Sequence, residues 1–244
     1  MARVLALLYG VACYLAFLGV FLYSIAFVAN LGVPKSIDTG AAAPPLVALL
    51  IDAALLALFA VQHSVMARQW FKRAWARVVP DVVERSTYVL AASAVLALML
   101  WQWRPLPAVV WNVSAPAGRW ALMGLFFAGW GVLLLSSCLI DHCELFGLRQ
   151  VFRYARGEKH VPPEFKQLSL YKVVRHPLYF GFLVGLWATP RMSAGHLFFA
   201  LMATGYILVG IQFEERDLLR FHGEAYRSYR QRVSMLIPLP RRKA

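Results

Sequence analysis

Residues 4–29, VLALLYGVACYLAFLGVFLYSIAFVA, decide the fold. They contain no charged side chain, and none follows until Lys35. A hydrocarbon layer is crossed by about 20 helical residues, so this run reads as a membrane span. A cleaved signal peptide would carry an apolar core of only about 7 to 15 residues before a small-residue cleavage site. The run is too long for that. Comparable stretches follow at 46–66, 86–103 and 120–140. A last pair, 178–189 and 195–213, is split by Pro190 and Arg191. Its first arm is too short to cross alone unless His176 and Pro177 dip into the bilayer, so the pattern predicts a hairpin that is partly re-entrant. The expectation is an all-α integral membrane protein of about five transmembrane elements, ending in a C-terminal helical hairpin and forming one domain over 1–244.

The composition agrees. Of the 244 residues, 60% are apolar and 15% charged, against about 25% charged in an ordinary globular chain. A soluble enzyme, a disordered chain and a disulfide scaffold are poor readings. The 25 Lys and Arg against 12 Asp and Glu give a net charge of +13, which in a soluble protein would suggest nucleic acid. Their placement argues otherwise. Arg3, residues 67–85, residues 141–175 and the tail from 214 hold 21 of the 25, whereas the opposite side holds only Lys35, Arg104, Arg119 and Arg191. This follows strict alternation of the spans, so the positive-inside rule puts both termini and the long basic segments in the cytoplasm. No nucleic-acid motif accompanies them. Cys13, Cys138 and Cys143 have no paired spacing and imply neither a disulfide framework nor a zinc site.

Polar residues gather at the cytoplasmic ends of the spans. The richest segment is 170–181, LYKVVRHPLYFG, followed after one apolar hairpin by Glu214, Glu215, Arg216 and Asp217, and then by Tyr226, Tyr229, Val233 and Pro238. A hairpin brings its ends together, so Arg175, His176 and Tyr179 at its entrance should face Glu214 and Glu215 at its exit. Cationic, imidazole, phenolic and carboxylate groups at a membrane surface suit a zwitterionic, sugar-bearing ligand.

The ordered pattern Arg175-His176-Pro177-x-Tyr179-x-Gly181, Glu214-Glu215-x-x-Leu218 and Tyr226-x-x-Tyr229-x-x-x-Val233 resembles the cofactor half of the isoprenylcysteine carboxyl methyltransferase and phospholipid methyltransferase superfamily. The resemblance implies an S-adenosylmethionine (SAM) site, with S-adenosylhomocysteine as product. It would be lined by His176, Tyr179, Glu214 and Glu215, with Tyr171, Arg175 and Gly181 beside them, in cytoplasmic segments 141–177 and 214–240. Upstream, Gln62-His63-Ser64-x-Met66-Ala67-Arg68, Glu84-Arg85-Ser86-Thr87-Tyr88 and Asp141-His142-x-x-Leu145-Phe146-Gly147-Leu148-Arg149-Gln150 are similar to the bacterial methanethiol S-methyltransferases, which make dimethyl sulfide. That resemblance covers nearly the whole chain except span one and the external loops. It implies a bacterial inner-membrane enzyme acting on methanethiol, or on hydrogen sulfide, among membrane lipid and with no protein partner.

Such a reaction places its demand on the nucleophile, because a free thiol with a pKa of about 8.5 is only a few per cent thiolate at neutral pH. His63 or His142, oriented by Asp141 or Glu84, is expected to take the thiol proton. Arg85 is expected to stabilise the thiolate and Tyr88 to position it. Each residue also has a plainer reading: His63 bonded to a neighbouring carbonyl, Glu84 and Arg85 as an interfacial ion pair, Tyr88 in the aromatic belt. Asp141-His142-Cys143-Glu144 mimics a metal cluster, but four consecutive residues point different ways on a helix, and no metal is expected. Asp52 falls on the face of His63 about 16 Å away and reads as a packing partner. His160 and His222 read as surface residues, and His196 as an interfacial one. Two other readings remain: a superfamily enzyme for a larger lipid or prenylated thiol, and a non-catalytic membrane accessory protein.

Overall fold

The computed structural model describes residues 1–159 and 168–238; His160 lies outside them. In order, the elements are α1 (Ala2–Ala29), α2 (Pro45–Met66), α3 (Gln69–Trp75), α4 (Asp81–Gln102), β1 (Val109–Asn112), α5 (Pro116–Ile140), α6 (His142–Leu145), α7 (Leu148–Arg156), a 3₁₀ turn (Ser169–Lys172), α8 (Pro177–Trp187), β2 (Arg191–Ser193) and α9 (Ala194–Arg232). Five of the helices, α1, α2, α4, α5 and α9, are long and apolar enough to cross a membrane. Their outward faces are apolar: Leu5, Leu8, Leu15 and Leu22 of α1 and Leu46, Leu50 and Val61 of α2 are all more than half exposed. In water that surface would drive aggregation; in lipid it costs nothing. This is an all-α integral membrane protein.

Most helix starts fall earlier than hydropathy places them, for a local reason. α2, α5 and α8 open on Pro45, Pro116 and Pro177, whose missing N–H and fixed φ suit the first helical turn. α4 begins at Asp81, not at residue 86, because Pro80 precedes it and Asp81 and Glu84 complement the positive helix terminus. Glu84 and Arg85 therefore lie within the helix. The helix of the last arm also runs on far beyond residue 213, to Arg232, and at Gly223 its backbone turns to φ 53° and ψ −124°. The first arm of the hairpin, α8, has 11 residues, about 16 Å at 1.5 Å per residue. The path then continues without helix through the buried Ala188, Thr189 and Pro190 to β2, which pairs with β1. The indole of Trp111 donates to Thr189 O at 3.1 Å, and Val113 N to Pro190 O at 2.8 Å. Non-helical backbone at such a place needs these internal partners.

The chain folds as two compact units that alternate along the sequence. The first comprises Met1–Ala108, His142–Pro163 and Ser193–His196; the second comprises Val109–Asp141, Glu164–Met192 and Leu197–Ala244. In the first unit α4 packs against α1, α2 and α7. Trp103 is fully buried, edge-on to Phe27, with its indole N–H on Ile37 O at 3.2 Å. Asp52 is fully buried, and its Oδ1 accepts the Arg104 backbone N–H at 2.8 Å, so it closes the end of α4 as a packing partner. His196 is fully buried at the start of α9, where the turn is tied in by Ala194 N to Ala108 O and Gly195 N to Leu106 O. In the second unit α5 and α8 meet through glycines. A Cβ on Gly129 would lie 2.6 Å from Gly185 N, and one on Gly181 would lie 2.6 Å from Gly129 O. Missing side chains let the two backbones touch, the usual device of helices in lipid.

Candidate active site

The second unit gathers the residues at both ends of the hairpin. The chain enters α8 along a parallel bridge between Val174 and Ser234, with Arg175 N on Ser234 O at 2.8 Å and His176 N on Met235 O at 3.1 Å. This backbone pairing fixes two buried side chains. The Arg175 guanidinium donates through Nε to Glu215 Oε1 at 2.7 Å, and through Nη1 to Arg230 O at 3.1 Å and Val233 O at 2.5 Å. His176 Nε2 lies 3.1 Å from the same Glu215 Oε1, and Arg230 Nη1 lies 3.7 Å from Oε2. Buried charge persists only when paired and hydrogen-bonded, and this carboxylate has three basic partners.

The neighbouring carboxylate is different. Glu214 is half-buried, 3.7 Å from His176 Nδ1, and its Oε2 is a buried acceptor with no hydrogen-bond partner among the described residues. Tyr179 stands with its ring 5.7 Å from that of His176. Tyr171 donates its hydroxyl to Ser136 O at 3.3 Å, and its carbonyl accepts from the Tyr229 hydroxyl at 2.5 Å. Burial pushes the Tyr171 phenol well above its ordinary range, with the negative charge of Glu214 and then Tyr229 adding to the effect. It therefore remains a neutral donor. Gly181 has a packing reason of its own in the α5–α8 contact.

The first unit holds a second cluster. The buried Tyr88 of α4 places its hydroxyl 3.0 Å from both ring nitrogens of His63 at the end of α2. Phe59, one turn earlier, stacks on that imidazole at 5.3 Å. Arg85 lies over the Tyr88 ring at 5.1 Å and is held from behind by Leu145 O, 2.8 Å from its Nε. Leu145 is held in turn by the turn after it. At Gly147 the backbone has φ 84°, and a Cβ there would lie 2.7 Å from Ser86 N, so only glycine fits. Glu84 pairs with Lys72 at 3.9 Å.

His142 is in the same unit but in a different setting. Its Nε2 bonds the Tyr14 hydroxyl of α1 at 2.9 Å, with Phe146 at 4.7 Å, and Phe146 in turn stacks on Phe17 at 4.1 Å. Asp141 is the residue at which α5 ends, with φ 149° in a conformation sparsely used by non-glycine residues. Glu144 accepts from Gln150 at 2.9 Å. The resemblance left span one aside, so it missed Tyr14, and nothing in a 26-residue uncharged run marks one tyrosine out. It also missed Phe59, which acts by stacking, and Arg230, which reaches Glu215 with its guanidinium and Arg175 with its carbonyl.

Five apolar spans with two clusters of ionisable and aromatic side chains define a helical integral-membrane protein. The chain is 55% identical over 242 residues to a methanethiol S-methyltransferase of Mycobacterium tuberculosis, covering 99% of both chains. It is 54% identical over 236 residues to methanethiol S-methyltransferase 1 of Bradyrhizobium diazoefficiens, covering 97% of this chain and 83% of that one. Nurim of Sus scrofa is 32% identical over 181 residues, covering 71% and 69%. No family model and no solved structure matches. The chain belongs to the methanethiol S-methyltransferase family. It is an enzyme, a methyltransferase, and as such uses a methyl donor.

Proposed function

We propose that this protein transfers the methyl group of SAM to methanethiol, giving dimethyl sulfide and S-adenosylhomocysteine. The observation that carries the reading is the identity of 55% across 99% of the chain with a methanethiol S-methyltransferase. The second-unit cluster fits SAM in its chemistry. Oε2 of Glu214, 3.7 Å from His176 Nδ1 and without a hydrogen bond among the described residues, is an acceptor for a ribose hydroxyl or an ammonium, both of which SAM carries. His176 and Tyr179 stand beside it, while Arg175 and Glu215 are spent on each other and hold the wall in place. Tyr171 and Gly181 support that wall from outside.

Bound SAM supplies an electrophilic methyl whose leaving group departs as a neutral thioether, so no acid is required. The chain must instead handle the thiol proton. His63 accepts it at a ring nitrogen now facing the Tyr88 hydroxyl, and Arg85, fixed by Leu145 O, stabilises the thiolate. His142 with Tyr14 is the alternative acceptor; Asp141 or Glu84 orients the acceptor. The whole chain, 1–244, serves as one methyltransferase domain. It resides in the bacterial inner membrane with its basic segments and SAM site cytoplasmic, and its partners are the small thiol, hydrogen sulfide included, and lipid. Purified protein given SAM and methanethiol should release dimethyl sulfide into the headspace. Methylation of a prenylated or lipid thiol in its place, or of no thiol at all, overturns the proposal.

A further inference from the structure

The last turns of α2 carry four side chains in one patch, Phe59, Gln62, His63 and Met66. Residues three and four apart are neighbours on a helix, so Met66 borders both Gln62 and His63, and Phe59 borders the same two from the turn before. The contacts agree: Phe59 stacks on His63, and Gln62 Nε2 donates to Met66 Sδ at 3.0 Å. A thioether sulfur carries no hydrogen, so it takes the N–H of the amide, weakly, and offers nothing to the amide oxygen. Oε1 of Gln62 is sealed from solvent and has no hydrogen bond among the described residues. A buried amide oxygen without a donor is costly to keep, and a ligand that brings one relieves that cost.

A thiol completes this amide. Its sulfur accepts from Nε2 as Met66 Sδ does, and its S–H donates to Oε1. Both bonds are weak in water and gain strength in a low-dielectric setting. The Met66 side chain is informative in itself, because it ends in CH2–S–CH3, the same kind of group as dimethyl sulfide. We propose that Gln62 binds the sulfur of the substrate, and that the Met66 thioether occupies this subsite until a thiol displaces it. The amide then tells thiol from thioether. Methanethiol makes both bonds, whereas dimethyl sulfide has no S–H, makes one, and leaves Oε1 bare. The proposal rests on the reading of the protein as a methanethiol methyltransferase with His63 as proton acceptor. Gln62 takes no proton; once His63 holds it, the Nε2 donor stays on the thiolate.

The test is steady-state kinetics of the full chain in detergent, with turnover read as S-adenosylhomocysteine formed, SAM affinity measured separately, and dimethyl sulfide added as a competitor of methanethiol. In wild type the KM for methanethiol should lie below the inhibition constant of dimethyl sulfide. Gln62→Leu, which keeps the volume and suits lipid, should raise that KM about tenfold, from the loss of two weak hydrogen bonds, with kcat and SAM affinity changed far less. It should also bring the two constants together. Met66→Leu removes the internal sulfur and frees Nε2, so it should lower the KM about threefold, and it decides the matter if Gln62→Leu does not fold. An unmoved KM in Gln62→Leu, an equal loss of SAM affinity, or a KM in Met66→Leu at or above wild type would overturn the proposal. A wild type that forms no S-adenosylhomocysteine with methanethiol is a different result, and overturns the functional reading itself.

Discussion

The Glu215 cluster and the His63 cluster are both polar groups in a membrane protein, yet they are stabilised in opposite ways. Around Glu215, charges compensate charges: Arg175, His176 and Arg230 converge on one carboxylate, and backbone from Arg230 to Met235 closes the ring. Around His63, aromatic rings do the work, with Phe59 stacked on one face of the imidazole, Tyr88 at its edge and Arg85 over the tyrosine. The first arrangement leaves one acceptor, Oε2 of Glu214, without a hydrogen bond among the described residues. The second sets an imidazole and a guanidinium against a phenol, an aromatic ring and a backbone carbonyl. A binding wall and a reactive group require different kinds of neighbour.

The sharpest way to break this contrast is Glu215→Ala. It strands the buried Arg175 guanidinium, and loss of one partner of a buried pair costs about 3–5 kcal/mol, so the melting temperature in detergent should fall steeply. A variant that melts like wild type would mean the network is not a staple. Next in size, His63→Ala or Arg85→Ala should lower kcat by about a hundredfold or more while the fold and SAM affinity are kept. If kcat survives His63→Ala, the proton goes to His142. Glu214→Ala should weaken SAM about tenfold, from the loss of one hydrogen bond to a charged acceptor, without changing the melting temperature. The smallest effect belongs to Tyr14→Phe. One hydrogen bond of about 1 kcal/mol should cost a few-fold in rate and move the pH profile if His142 titrates in turnover. An unmoved profile would assign Tyr14 to packing.

The spans were legible because lipid imposes one demand, an uncharged run of sufficient length, which 4–29 meets without ambiguity. The meeting of Arg175 and His176 with Glu215 was legible because a hairpin has only one way to close. Less was readable where the cause is not local in sequence. The path from Ala188 to Ser193 is extended because β1 supplies its partners, and β1 lies some eighty residues upstream. Nothing in the run 214–232 signals that the helix continues past the membrane, and only the structure shows its turn at Gly223. Glu214 and Glu215 look equivalent as a pair of letters. Helical geometry separates them, turning one into the Arg175 network and leaving Oε2 of the other unsatisfied.

The division between a donor-binding wall and a thiol-handling cluster is tested most directly by equilibrium SAM binding to Glu214→Ala and Arg85→Ala, measured side by side by calorimetry on folded protein in detergent. The account predicts about tenfold weaker binding for Glu214→Ala and wild-type binding for Arg85→Ala. Equal losses in the two variants would contradict it.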